Sequence, residues 1–78
     1  MKKLNLAAAF GTFSERWSPR VAGDVNDFQV KLAKLSGAFH WHHHDGDDEL
    51  FLVVAGRLRM GLRDGDVDLE AGELIIVP

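Results

Sequence analysis

The feature that most constrains this chain is a succession of short period-two segments, each closed by a glycine- or aspartate-rich turn. Leu58, Met60 and Leu62 alternate with Arg57, Arg59, Gly61 and Arg63. Asp64-Gly65 follows, a strong hairpin signal, and then Val67 and Leu69 alternate with Asp66, Asp68 and Glu70. Successive side chains on a strand point to opposite faces, so each such segment buries one face and wets the other. Phe28, Val30 and Leu32 repeat the pattern against Gln29, Lys31 and Ala33. Residues 50–54 are a continuous apolar run with β-branched members, which predicts a buried strand ended by Ala55-Gly56. Residues 38–44 predict a strand rich in large rings, and residues 74–77 a last strand after the turn Glu70-Ala71-Gly72-Glu73. Gly23 to Asp27 reads as a turn and Ser18-Pro19 as a break. The Ala-rich residues 4–13 predict one helical turn or an arm lying along a neighbour. About six strands with turns between them indicate an all-β sandwich or barrel.

With 78 residues the chain is expected to form one domain over residues 1–78. A domain this small buries only about 60% of the surface its unfolded chain exposes. There is no cysteine to compensate, so a bound metal or a partner subunit is the expected reinforcement. The net charge of -3 and pI near 5.7 argue against a nucleic-acid binder. Arg57, Arg59 and Arg63 are followed directly by Asp64, Asp66 and Asp68, a solvated face of mixed sign rather than a phosphate patch. No apolar run approaches the length of a membrane-spanning helix. The start, Met1 to Phe10, imitates a signal peptide only faintly, because Asn5 interrupts it and charge returns at Glu15 and Arg16. The expected compartment is the cytoplasm, with no membrane partner.

All four histidines fall in the segment Phe39-His40-Trp41-His42-His43-His44-Asp45-Gly46-Asp47-Asp48-Glu49. On a strand His42 and His44 share a face, with Cα atoms about 6.6 Å apart. Their rings can then converge on one ion at nitrogen–metal distances of roughly 2.0–2.1 Å. The polar turn 45–48 reverses the chain and lets Glu49 enter the neighbouring strand beside them. Two imidazoles and a carboxylate suit iron, zinc, manganese, nickel or copper. An isolated His-x-His would more simply be an idle surface cluster; the glutamate opening a strand that a glycine ends shifts the balance. His40 shares the face of His42 but lies about 13 Å from His44 along an extended strand, so water or a second chain is the better expectation for a fourth ligand. Trp41 alternates out of phase with the histidines and is expected to pack on the other side of its strand.

These residues resemble the first conserved motif of the cupin superfamily: a glycine, a short spacer, His-x-His, three or four residues, a glutamate, six residues and a glycine. Gly37, His42, His44, Glu49 and Gly56 supply it, with the first spacer one residue shorter than usual. Gly72, five residues and Pro78 match the beginning of the second motif, whose histidine would lie beyond the chain. The tryptophan before the histidines and the run Glu49 to Val54 are similar to small stand-alone bacterial cupins. The resemblance implies a double-stranded β-sandwich, or jelly roll, here incomplete at the C-terminus, with the metal inside its mouth. It carries over His42, His44 and Glu49 as ligands of a divalent transition metal and leaves the fourth ligand open.

The implied function is a small metal-binding cupin acting on a small oxygenated substrate, by dioxygenase-like or sugar-isomerase-like chemistry. A non-catalytic ligand-binding or sensory module and a truncated structural remnant stay open beside it, because fold does not determine function. The exposed edge expected at residues 74–77 predicts association into a homo-oligomer, a dimer in the simplest case.

Overall fold

The computed structural model describes residues 1–41 and 46–78, and the chain divides into two compact units, Met1–Leu35 and Ser36–Pro78. In the first unit α1 (Leu6–Phe10) is a single helical turn. It starts where the Asn5 side chain accepts a hydrogen bond from the Ala8 N–H at 2.9 Å, satisfying a donor that has no partner within the helix. The Gly11 N–H, donating to the Ala7 and Ala8 carbonyls, closes it. β1 (Arg20–Val25) and β2 (Phe28–Leu32) form an antiparallel hairpin with a register shift between Val21 and Gly23. The Phe13 ring is bracketed by two cations, Arg20 at 5.2 Å and Lys34 at 4.8 Å from its centroid, and Lys34 Nζ also donates to the Phe13 carbonyl. Leu32 is the buried side chain of this unit.

β1 corrects the sequence reading. Gly23, Asp24 and Val25 were expected in a turn, but they continue the strand, and the reversal is confined to Asn26 and Asp27. Asn26 takes a left-handed φ of 54°, which its short polar side chain tolerates better than most. A strand through Gly and Asp defies local preference and is held by pairing with the apolar β2.

The second unit contains β3 (Ala38–His40), β4 (Glu49–Leu52), β5 (Arg57–Leu62), β6 (Gly65–Glu70) and β7 (Leu74–Val77). β5 and β6 are an antiparallel hairpin, β3 lies parallel to β5, and β4 pairs antiparallel with β7. The hairpin pairs Leu62 with Gly65, so its two-residue loop is Arg63-Asp64, one residue earlier than the Asp-Gly signal suggests. Gly65, at φ 128°, opens the return strand. The β4–β7 pairing is prolonged by Gly72 N–H to the Val53 carbonyl at 2.8 Å and Val53 N–H to the Glu73 carbonyl at 3.0 Å.

Register decides the core. Phe39 and Val67 both stand opposite Met60, which is fully buried. Leu58, Leu69, Val53 and Val77 are buried as well. Phe39 and Phe51 rings meet at 5.5 Å, which brings the inner face of the β3–β5–β6 sheet onto that of β4–β7. The fold is all-β apart from one helical turn. Among the described residues no helix is long and apolar enough to cross a membrane.

The outward rows of β5–β6 pair opposite charges. Arg57 donates to Glu70 at 3.0 Å, and Arg59 grips Asp68 through Nε at 2.8 Å and Nη2 at 3.2 Å. The hydrogen bonds from Arg59 hold the Asp68 carboxyl below its ordinary value of 3.8. A depressed carboxyl stabilises the fold at pH values above its unfolded pKa, and that contribution is lost as pH falls through the folded one. The complementary rise at Arg59 would be lost only in strong alkali. Both groups are solvated and screened, so the effect is small. Asp68→Asn is expected to lower the melting temperature by a few degrees at most at neutral pH, and the gap should close in acid. Melting curves across the acid range test this; a gap of constant size would contradict it.

Candidate metal centre

β4 begins with Glu49, and its register fixes which way that residue faces. Residues directly opposite in an antiparallel pair share a face. Glu49 stands opposite Val77, which is buried, and Phe51 opposite Ile75. Glu49 therefore belongs to the inner row of β4, one step along from Phe51. Leu50 and Leu52 point the other way and are about half exposed, so the apolar run expected to be a buried strand is buried on one face.

Three rings gather one step along the inner row from Glu49. Phe51 contacts Phe39 and also Trp41, whose ring meets it edge-on at 5.5 Å and 79°. The Trp41 N–H donates to the Gly61 carbonyl at 2.9 Å, extending the β3–β5 pairing by one residue. Trp41 immediately precedes His42 in the chain. Its ring thus packs on the residue next but one to Glu49. His42 and His44 themselves lie outside the described residues, as do His43 and Asp45.

His40 is turned to the opposite face of β3 from Phe39. It stands opposite Gly61, and its imidazole covers that glycine: a Cβ at position 61 would lie 2.6 Å from His40 Nδ1 and 3.5 Å from Asp66 Oδ1. The histidine occupies the space that any β5 side chain would need. This direction takes it away from the inner row that carries Glu49, so His40 is not positioned to join Glu49 on one ion. Neither segment signals this, because the parallel register of β3 on β5 is written in neither of them. An open groove lined by Arg57, Leu58, Arg59, Asp68 and Glu70 lies along the same hairpin, with its arginines already paired to its carboxylates.

Among the described residues no three His, Cys, Asp or Glu side chains gather closely enough to hold a metal; Glu49 is the one described member of the expected ligand set. As a donor set, two imidazoles and a carboxylate fit a divalent transition metal.

A family model described as the cupin domain matches residues 28–78. The chain belongs to the cupin family. It is 35% identical over 78 residues to the uncharacterized protein YdbB of Bacillus subtilis (strain 168), covering 99% of this chain and 69% of that one. The crystal structure of a cupin-2 domain containing protein from Shewanella frigidimarina NCIMB 400 superposes with a TM-score of 0.89 at 43% identity, covering 96% of this chain and 74% of that one. The cupin motif glycines now have a conformational reason. Gly37 and Gly56, which bound the motif, have φ of 79° and 77°, a region that a Cβ makes costly. The motif of this cupin is thus held at both ends by its backbone, with its glutamate on the inner face of β4.

Proposed function

We propose that this cupin holds a divalent transition metal through His42, His44 and Glu49 and uses it on a small oxygenated substrate. The observation that carries the reading is the place of Glu49 on the inner row of β4, within a cupin motif bounded by Gly37 and Gly56. The metal would supply a Lewis-acidic or redox centre. Glu49 contributes an anionic oxygen that partly balances the ion's charge. Phe39, Trp41 and Phe51 bring apolar surface to the same inner face. We take the compartment to be the cytoplasm, with which a cysteine-free chain is compatible.

The same three rings favour a second reading, a non-catalytic module that binds an apolar or aromatic ligand. Elemental analysis of the purified, untagged protein beside His42→Ala/His44→Ala separates the two. Near-stoichiometric metal in the parent and none in the variant is the expected result. A parent that stays metal-free after reconstitution would overturn the metal reading and leave the ligand-binding module.

A further inference from the structure

The first unit carries a charge opposite to that of the second. Residues 1–35 hold six lysines and arginines against three acidic residues, and residues 36–78 hold three against nine. Two of the six cations line a groove of about 270 Å³ that lies wholly within the first unit. Lys2 and Arg20 supply its charge, and Leu4, Val21, Ala22 and Leu32 supply aliphatic wall. Among the described residues no carboxylate lines it.

The backbone of β1 shapes this groove. Successive strand residues point to opposite faces, yet Arg20, Val21 and Ala22 all reach it. The register shift accounts for this: Val21 pairs with Lys31 and Gly23 with Val30, which leaves Ala22 as an extra residue. A bulge of this kind bends its strand and re-aims side chains. Arg20 is held in place as well. Its guanidinium lies over the Phe13 ring at 5.2 Å, and its Nη2 meets Glu15 at 3.3 Å. A guanidinium has five N–H donors, so one carboxylate contact leaves donors for a second anion. Lys2 forms no ion pair among the described residues. Beside these cations Val21 is 56% and Leu4 47% exposed, apolar surface that an aliphatic chain would cover.

We propose that this groove binds a small amphipathic carboxylate, with its anionic head on Lys2 and Arg20 and its aliphatic tail on Leu4, Val21 and Leu32. Two cations without a facing carboxylate select an anion, and the planar fork of a guanidinium matches a carboxylate. Each methylene buried on the aliphatic wall adds about fourfold to affinity. Ligand pockets run from about 300 to 1,000 Å³, so a groove of this size limits the ligand to a short tail.

Calorimetric titration of the 78-residue chain with octanoate as the probe tests the proposal. EDTA in the buffer removes any contribution from a bound metal, so the outcome is independent of the proposed metal centre. Saturable one-to-one binding is expected. Lys2→Glu should weaken it roughly tenfold or more, as for loss of a hydrogen bond to a charged group. Lys2 precedes α1 and lies outside every strand, so this variant keeps the fold even if Arg20→Gln, which also loses the Phe13 contact, does not. Arg16→Gln removes a cation of the same unit that does not line the groove and should leave octanoate affinity unchanged. Octanol, with the tail but no charge, should bind at least tenfold more weakly, and so should acetate, with the charge but no tail. Absence of saturable octanoate binding up to millimolar concentration would overturn the proposal. So would equal affinity in Lys2→Glu and the parent, an Arg16→Gln loss as large as that of Lys2→Glu, or acetate or octanol binding as tightly as octanoate.

Discussion

Met60→Ala is expected to leave a large fraction of the protein unfolded at 25 °C. Met60 is the one side chain among the described residues with no exposure at all, and it sits between Phe39 on β3 and Val67 on β6. Removing such a side chain costs about 2–5 kcal/mol, the lost transfer energy plus the cavity left behind. A chain of this size has little to spare: a single small core rarely supplies more than about 3–5 kcal/mol. Among the described residues of the second unit the buried apolar set is short, with Val53, Leu58, Leu69 and Val77 in addition to Met60, so few neighbours can close the gap. Urea titration followed by circular dichroism measures the loss. A change below about 1 kcal/mol would mean that Phe39 and Val67 collapse into the space and that the core is more plastic than its packing suggests.

The second large effect concerns the proposed metal. A ligand that binds only the folded state stabilises it by about 2.7 kcal/mol at a concentration one hundred times its dissociation constant. For a domain this small each kcal/mol moves the melting temperature by about 4–8 °C, so saturating metal is expected to raise it by about 10–20 °C. Glu49→Gln should remove most of that rise by replacing an anionic donor with a neutral one. Acidification should erase it too, because imidazoles protonated at about pH 6.5 and below cannot bind the ion. Thermal melts of the parent and Glu49→Gln with and without added manganese, zinc and iron read this directly. An identical rise in both proteins would place the ion elsewhere.

Most of the second unit was legible in the sequence because its strands alternate. Residues 57–62 and 65–70 form the expected hairpin, with its loop one residue early, and residues 74–77 form a strand as expected, since an inward row of Leu58, Met60 and Leu69 admits only one register without exposing it. Other features were not legible. β1 runs through Gly23 and Asp24, residues whose local preference is for turns, and only its partner strand makes it extended. The run from Leu50 reads as a buried strand, because composition cannot reveal that Leu50 and Leu52 stand about half exposed. Glu49 could be singled out from motif spacing, and its inner row follows from pairing with Val77. The turn of His40 away from that row depends on a parallel neighbour distant in sequence, and no pattern within residues 38–44 encodes it.

His40 and Gly61 have a consequence for how this surface tolerates change. The imidazole already fills the volume above position 61, so the two positions share one allotment of space across two strands. A larger residue at 61 requires a smaller one at 40, or a ring that swings aside. Any library that varies the outer face of β5 residue by residue would score position 61 as intolerant and position 40 as free. Varied together, the two behave as a single position whose side chain can be supplied from either strand.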